Sequence, residues 1–172
     1  MIDFISGILI HTPVWVYVIL LFLISRGIRA RKPATVALEK LAIIPAIFLL
    51  WDIYDLLIFR KLTLATGSLW LVGLLSGAAI GYILIKRTAV ARAAAPRSIF
   101  READYSALPF MMLAFAVKYV LGVMSAIAPE VLQRPGVSAF AIITGGLFAG
   151  VFVGKFARYV RVYRAAEVQE AG

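Results

Sequence analysis

The chain contains no cysteine and a single histidine, His11. The first absence excludes disulfides, thiolate metal sites and cysteine nucleophiles. The second makes a two-histidine haem impossible within one chain and deprives a zinc site of its commonest ligand. Acidic residues are scarce as well, nine against eighteen Lys and Arg, and charges of both signs fill only 16% of the 172 positions, where an average soluble domain carries about 25%. No nucleophile, metal set or cofactor motif stands out, so no catalytic residue, metal or cofactor is expected and an enzyme is disfavoured. The first residues, 1–10, hold Asp3 and no Lys or Arg; they lack the basic opening of a cleavable secretory signal, and the N-terminus is expected to be mature.

What fills the chain is apolar: 63% of its residues are hydrophobic. A bilayer core of about 30 Å needs about 20 such residues in a helix, and five windows approach this, at 8–25, 41–59, 68–85, 107–128 and 137–156. The first is the least regular, because Thr12-Pro13 can start the helix at Pro13 and residues 1–12 can instead lie along the interface. The net charge of +9 would suggest nucleic acid in a soluble protein, but the basic residues sit beside the apolar windows. Arg26, Arg29, Arg31, Lys32 and Lys40, then Lys86, Arg87, Arg92, Arg97 and Arg101, then Lys155, Arg158, Arg161 and Arg164 fall on one side; Arg60, Lys61 and Arg134 fall on the other. Positive loops stay cytoplasmic. The expectation is therefore an all-α, polytopic transmembrane helical bundle of one domain over 1–172, five spans, N-out and C-in. Its cytoplasmic loops are 26–40 and 86–106 and its cytoplasmic tail is 157–172. Topology accounts for the charge, and nucleic acid is not an expected partner.

Trp15, Tyr17 and Trp70 then fall near the outer interface, and Tyr105, Tyr159 and Tyr163 near the inner one, as aromatic belts do. His11 reads as an outer interfacial residue. The alanine-rich stretch 86–105 is expected to form short interfacial helices broken at Pro96, where arginines can touch anionic lipid. Pro45 and Pro109 stand on the cytoplasmic halves of spans two and four, where they kink or start helices.

Two spans carry rows of small residues. Gly73, Gly77 and Gly81 form one GxxxGxxxG face, and Gly146, Gly150 and Gly154 form another; Ala141, Gly145 and Ala149 make a second stripe on span five. Lipid gives helices no hydrophobic reason to associate, so close backbone approach at small residues has to supply the contact. Whether the rows meet within one protomer or across a homo-oligomer seam stays open.

Charges also stand inside the windows: Asp52, Tyr54 and Asp55 in span two, Lys118 and Tyr119 in span four. Each ionised group at a helix centre costs about 2.5–3.5 kcal/mol. Asp52 lies eleven residues from the cytoplasmic end of its window and Lys118 eleven from the end of its own, so an ion pair between them is expected, with Asp55 one turn outward sharing Lys118 or reaching water. The cluster is either a proton relay or ion stop, or a polar lock with hydroxyl help from Tyr54 or Tyr119. The Asp-x-x-Asp spacing alone supplies too few oxygens for calcium or magnesium.

At THTPVWV, SRGIRARKPATV, LPFMMLAFAVKYVLGV and GGLFAGVFVGKFARYVRVY the chain resembles an uncharacterised bacterial family of small multi-pass inner-membrane proteins, over most of its length. The family pattern has a TPxWV lead-in to span one, matched by Thr12, Pro13, Trp15 and Val16, and a basic residue before tyrosine in span four, matched by Lys118 and Tyr119. It ends in a glycine-rich span, matched from Gly146 to Gly154. The resemblance implies a bacterial inner-membrane location; Asp52 and Asp55 are not part of the pattern. Spans one and two also faintly echo spans three and four, LISRGIRARK against LIKRTAVARA, as a parallel repeat would. The expected function is a small oligomeric transporter or channel that moves a proton, ion or small solute past Asp52, Asp55 and Lys118. The alternative is a non-catalytic accessory or scaffold subunit that binds a partner membrane protein through its glycine faces.

Overall fold

The structure, a computed structural model, describes residues 12–58, 62–86 and 88–171, with side chains through 166. His11, the interfacial stretch expected before it, and Arg60, Lys61 and Arg87 lie outside the described residues.

Five long helices appear in chain order: α1 (Val14–Ala30), α2 (Leu38–Ile58), α3 (Leu64–Lys86), α4 (Ala107–Ile127) and, after the single turn α5 (Pro129–Leu132), α6 (Pro135–Ala171). Pro13, at φ −58° and ψ 141°, stands immediately before α1, where its missing N–H is no loss and its fixed φ leads into the helix. Four helices are long and apolar enough to cross a membrane: α2, α3, α4 and the 135–166 part of α6. Helix α1, at 17 residues, is about 26 Å long. The outward faces are apolar too, with Leu50 67% and Leu64 93% exposed. Helix α6 runs unbroken from its apolar part through Lys155, Arg158, Arg161 and Arg164 to Ala171, so the stretch expected as the tail, 157–172, is helical as far as it is described.

The chain departs from all-α at one end. Strands β1 (Ala34–Ala37), β2 (Val90–Arg92) and β3 (Ser98–Arg101) form an antiparallel sheet in the order β1-β3-β2. Thr35 faces Phe100 and Val36 faces Ile99 across one ladder; Ala91 faces Phe100 across the other. This corrects the expectation of interfacial helices at 86–105. Alanine propensity favours helix only weakly and is overridden when β-branched and aromatic residues find a partner strand, and β1 supplies one from the other long loop. Pro96 marks the hairpin turn, and Arg97 after it takes φ 51°, the left-handed value that reverses the chain. Ile99, fully buried, anchors the sheet against Ile85 and Tyr159. Tyr159 is thus a core residue, not part of an interfacial belt.

Helix α6 organises the bundle. An added Cβ at Gly73 would overlap the carbonyl oxygen of Ile143, at Gly77 that of Leu147 and at Gly81 that of Val151. In return, one at Gly146, Gly150 or Gly154 would overlap the carbonyl of Trp70, Leu74 or Ala78. The partners advance together along both chains, so α3 and α6 lie parallel, backbone against backbone. The two glycine rows therefore face each other within one chain. On the other side of α6, Phe148, Ala149 and Phe152 join Ile44 and Phe48 of α2, Leu23 of α1 and Met111, Ala114 and Phe115 of α4 in the main core.

Candidate functional site

Two buried ionic clusters lie along the α2–α4–α6 core. In the first, Lys118 Nζ on α4 donates to Asp52 Oδ1 on α2, with 8% and 2% of the side chains exposed. Asp52 Oδ2 accepts a second hydrogen bond, from Trp70 Nε1 of α3 at 3.2 Å. Three elements thus converge on one carboxylate, and α6 makes room for it. A Cβ on Gly145 would stand 3.0 Å from Asp52 Oδ1 and 3.3 Å from Lys118 Nζ, so the second small stripe, with buried Ala141 and Ala149 above and below, accommodates the ion pair.

Of the other residues expected in this cluster, Tyr54 and Tyr119 are placed differently. Tyr54 is 56% exposed and faces outward, because its position, two residues after Asp52 on a helix, turns it away from that residue's face. Tyr119 bonds Thr12 Oγ1 at 2.7 Å and stacks on Phe115, which ties the start of α1 to α4. Asp55 is half-buried, one turn beyond Asp52. Trp70, expected near the outer interface, is the second donor to Asp52. Nothing local to Trp70 marks it for this role; the α3–α6 contact brings it there.

The second cluster lies at the sheet end. Lys155 Nζ on α6 donates to Asp104 Oδ2 at 2.8 Å and to Ser106 Oγ at 2.7 Å, while Asp104 Oδ1 accepts the Ser106 N–H at 3.0 Å and hydroxyl at 2.6 Å. Every oxygen of the carboxylate is engaged. Beside it Arg101, 7% exposed, donates through Nη1 to Ala30 O at 2.8 Å. Asp104 N–H bonds the same carbonyl at 2.8 Å, satisfying the open C-terminal end of α1. Sequence reasoning counted Lys155 and Arg101 only as topology signals and passed over Asp104. An Asp-x-Ser immediately before a helix was the available cue, since a short polar side chain there bonds nearby backbone N–H groups.

Each cluster borders a cavity. The sheet-end cavity, about 220 Å³, reaches from Arg26, Arg29 and Arg101 past Lys155 to Pro45, Met111 and Phe152. The far-end cavity, about 290 Å³, reaches from Thr12 and Ile127 past Trp15 and Trp51 to Phe115 and Lys118. Met111 and Phe115 are one turn apart, about 6 Å, and Pro45 and Trp51 about 9 Å apart on α2. The septum between the cavities contains Phe48, 1% exposed, stacked on Phe152 at 5.0 Å, and fully buried Ala114. In the far-end cavity Lys118 Nζ sits 5.9 Å from the centre of the Trp51 ring, close enough for a cation–π contact. In comparisons with known proteins, the chain matches no family model, no curated protein and no solved structure.

Proposed function

We propose that the protein is a five-span integral protein of the bacterial inner membrane, N-terminus outside and C-terminus inside, that passes a small solute through the protomer between its two cavities. The observation that carries this reading is the pair of cavities approaching from opposite ends and stopping about 6 Å apart along α4 and about 9 Å apart along α2, at the Phe48 septum. An apolar constriction gates by dewetting, because it offers ions no replacement for their water. The basic residues gather at the sheet end, which supports that end as the cytoplasmic one. The Asp52–Lys118 pair borders the septum on the far side, where an intramembrane charge pair can exchange partners with a passing solute. Both glycine rows are closed on each other, so neither is free to serve as an accessory subunit's docking face or a homo-oligomer seam.

The natural lack of cysteine makes the test direct. Val123→Cys lines the far-end cavity and Ala34→Cys the sheet-end cavity; a membrane-impermeant maleimide should label only the first in spheroplasts and only the second in inverted vesicles. In reconstituted vesicles, wild-type protein should carry either protons, followed with a trapped pH dye, or radiolabelled phosphate. Asp52→Asn, which keeps an acceptor for Trp70 and leaves Lys118 bordering the far-end cavity, should fold yet abolish that flux. Labelling of both positions from one side, or undiminished flux in Asp52→Asn, refutes the pathway.

A further inference from the structure

The sheet-end cavity carries an excess of positive charge that the protein does not neutralise. Four cations line it, Arg26, Arg29, Arg101 and Lys155, against one carboxylate, Asp104. That carboxylate is already saturated by Lys155 and Ser106. Arg101 is buried but has only carbonyl partners, those of Ala30 and Glu102, and no ion pair among the described residues. Arg26 donates to the Lys40 carbonyl, and Arg29, at the mouth, is exposed. Burial first, then the neighbouring Arg29 and Arg101, push the Arg26 guanidinium down from its ordinary value; Arg26 stands beyond the apolar part of α1, at the cavity mouth. Desolvating a guanidinium without a counter-charge is unfavourable; buried Arg101 and half-buried Arg26 carry that cost, and an anion bound between them and the exposed Arg29 relieves it.

We propose that this cavity is a binding site for a phosphate-class oxyanion. Arginine presents paired donors that match phosphate geometry, and three uncompensated cations suit a dianion or a phosphate diester with its neighbours. A volume of about 220 Å³ accommodates a phosphate with a short organic portion, since about 10–15 Å³ of such volume already holds one water. The inner wall of Ile44, Pro45 and Met111 is apolar, so the charge sits at the mouth and the organic portion points inward. The shared chemistry is the phosphate group, supplied either free in solution or as a lipid headgroup. The site stands on the cavity's charge, whether or not its occupant crosses the septum.

The test is thermal unfolding of the full chain in maltoside detergent, titrated with inorganic phosphate and, separately, with dihexanoyl phosphatidylglycerol. Sodium chloride at equal ionic strength and dihexanoylglycerol, which has no phosphate, are the controls. Wild type should show a saturable rise in midpoint that the controls do not produce, because a ligand of the folded state stabilises by mass action. A rise with phosphate identifies the free anion, and a rise with phosphatidylglycerol alone the headgroup. Arg29→Gln, exposed and therefore able to fold, should weaken the apparent affinity about tenfold, the loss of one charge-assisted bond; Arg101→Gln should do the same or more. No rise above the controls, or an unchanged affinity in Arg29→Gln, overturns the inference. Binding without any flux would instead overturn the transport reading alone, and flux without binding would leave that reading standing and remove this one.

Discussion

Replacing Lys118 by methionine removes one half of a buried ion pair while nearly conserving volume. Asp52, 2% exposed, then keeps only the Trp70 N–H at 3.2 Å. Its surroundings offer little rescue: Gly145 closes one side, and the far-end cavity is lined by Lys118 and Trp51 rather than by Asp52 itself. Breaking a buried pair by removing one partner costs about 3–5 kcal/mol, whereas replacing both partners is often neutral. Lys118→Met should therefore lose about 3–5 kcal/mol, and Lys118→Met combined with Asp52→Asn, which removes both charges and still offers Trp70 an acceptor, only about 1–2 kcal/mol. The assay is reversible unfolding in mixed micelles with increasing dodecyl sulfate, read by helical circular dichroism, on both single variants and the double. The coupling from this cycle should be at least about 2 kcal/mol. A Lys118→Met loss below about 1 kcal/mol, or a double variant no milder than the sum of its parts, would show that the pair is not buried as described.

The parallel contact of α3 and α6 gives a sharper contrast. Gly77→Ala places a Cβ on the Leu147 carbonyl oxygen and has to push two backbones apart; by the same unfolding measurement it should cost about 1–3 kcal/mol or more. Gly122→Ala, with open space around it, should be close to neutral despite the same change of chemistry. Gly145→Ala brings a methyl to 3.0 Å from Asp52 Oδ1, tight but against a movable side chain. It should cost about 1 kcal/mol and lose most of that cost in the charge-free double variant.

Much of this architecture is legible along the chain. Apolar runs of helical length mark α2, α3, α4 and the apolar part of α6, because a helix in hydrocarbon must satisfy its own backbone and present only apolar side chains. Counting residues from the ends of two such runs places Asp52 and Lys118 at equal depth, and the cost of an unpaired charge there leaves them one another as partners. Glycines four apart announce a close helix contact for the same reason: without side chains, backbones can touch.

Tertiary structure alone decided the rest. A GxxxGxxxG row states that something approaches closely and not what; here two rows answer each other because α3 and α6 run parallel at the same depth. Trp70 became a hydrogen-bond partner of Asp52 only through that contact. The loop 86–106 contains residues suited to both helix and strand, and the choice fell to β1, more than fifty residues earlier in the chain, whose unpaired backbone groups could be satisfied by β3. The Asp104–Lys155 pair likewise joins residues 51 positions apart, and the cationic cavity beside it brings Arg26 near the start of the chain together with Lys155. Local propensity and depth in a bilayer are written residue by residue, but which distant groups neutralise one another depends on the packing of whole helices.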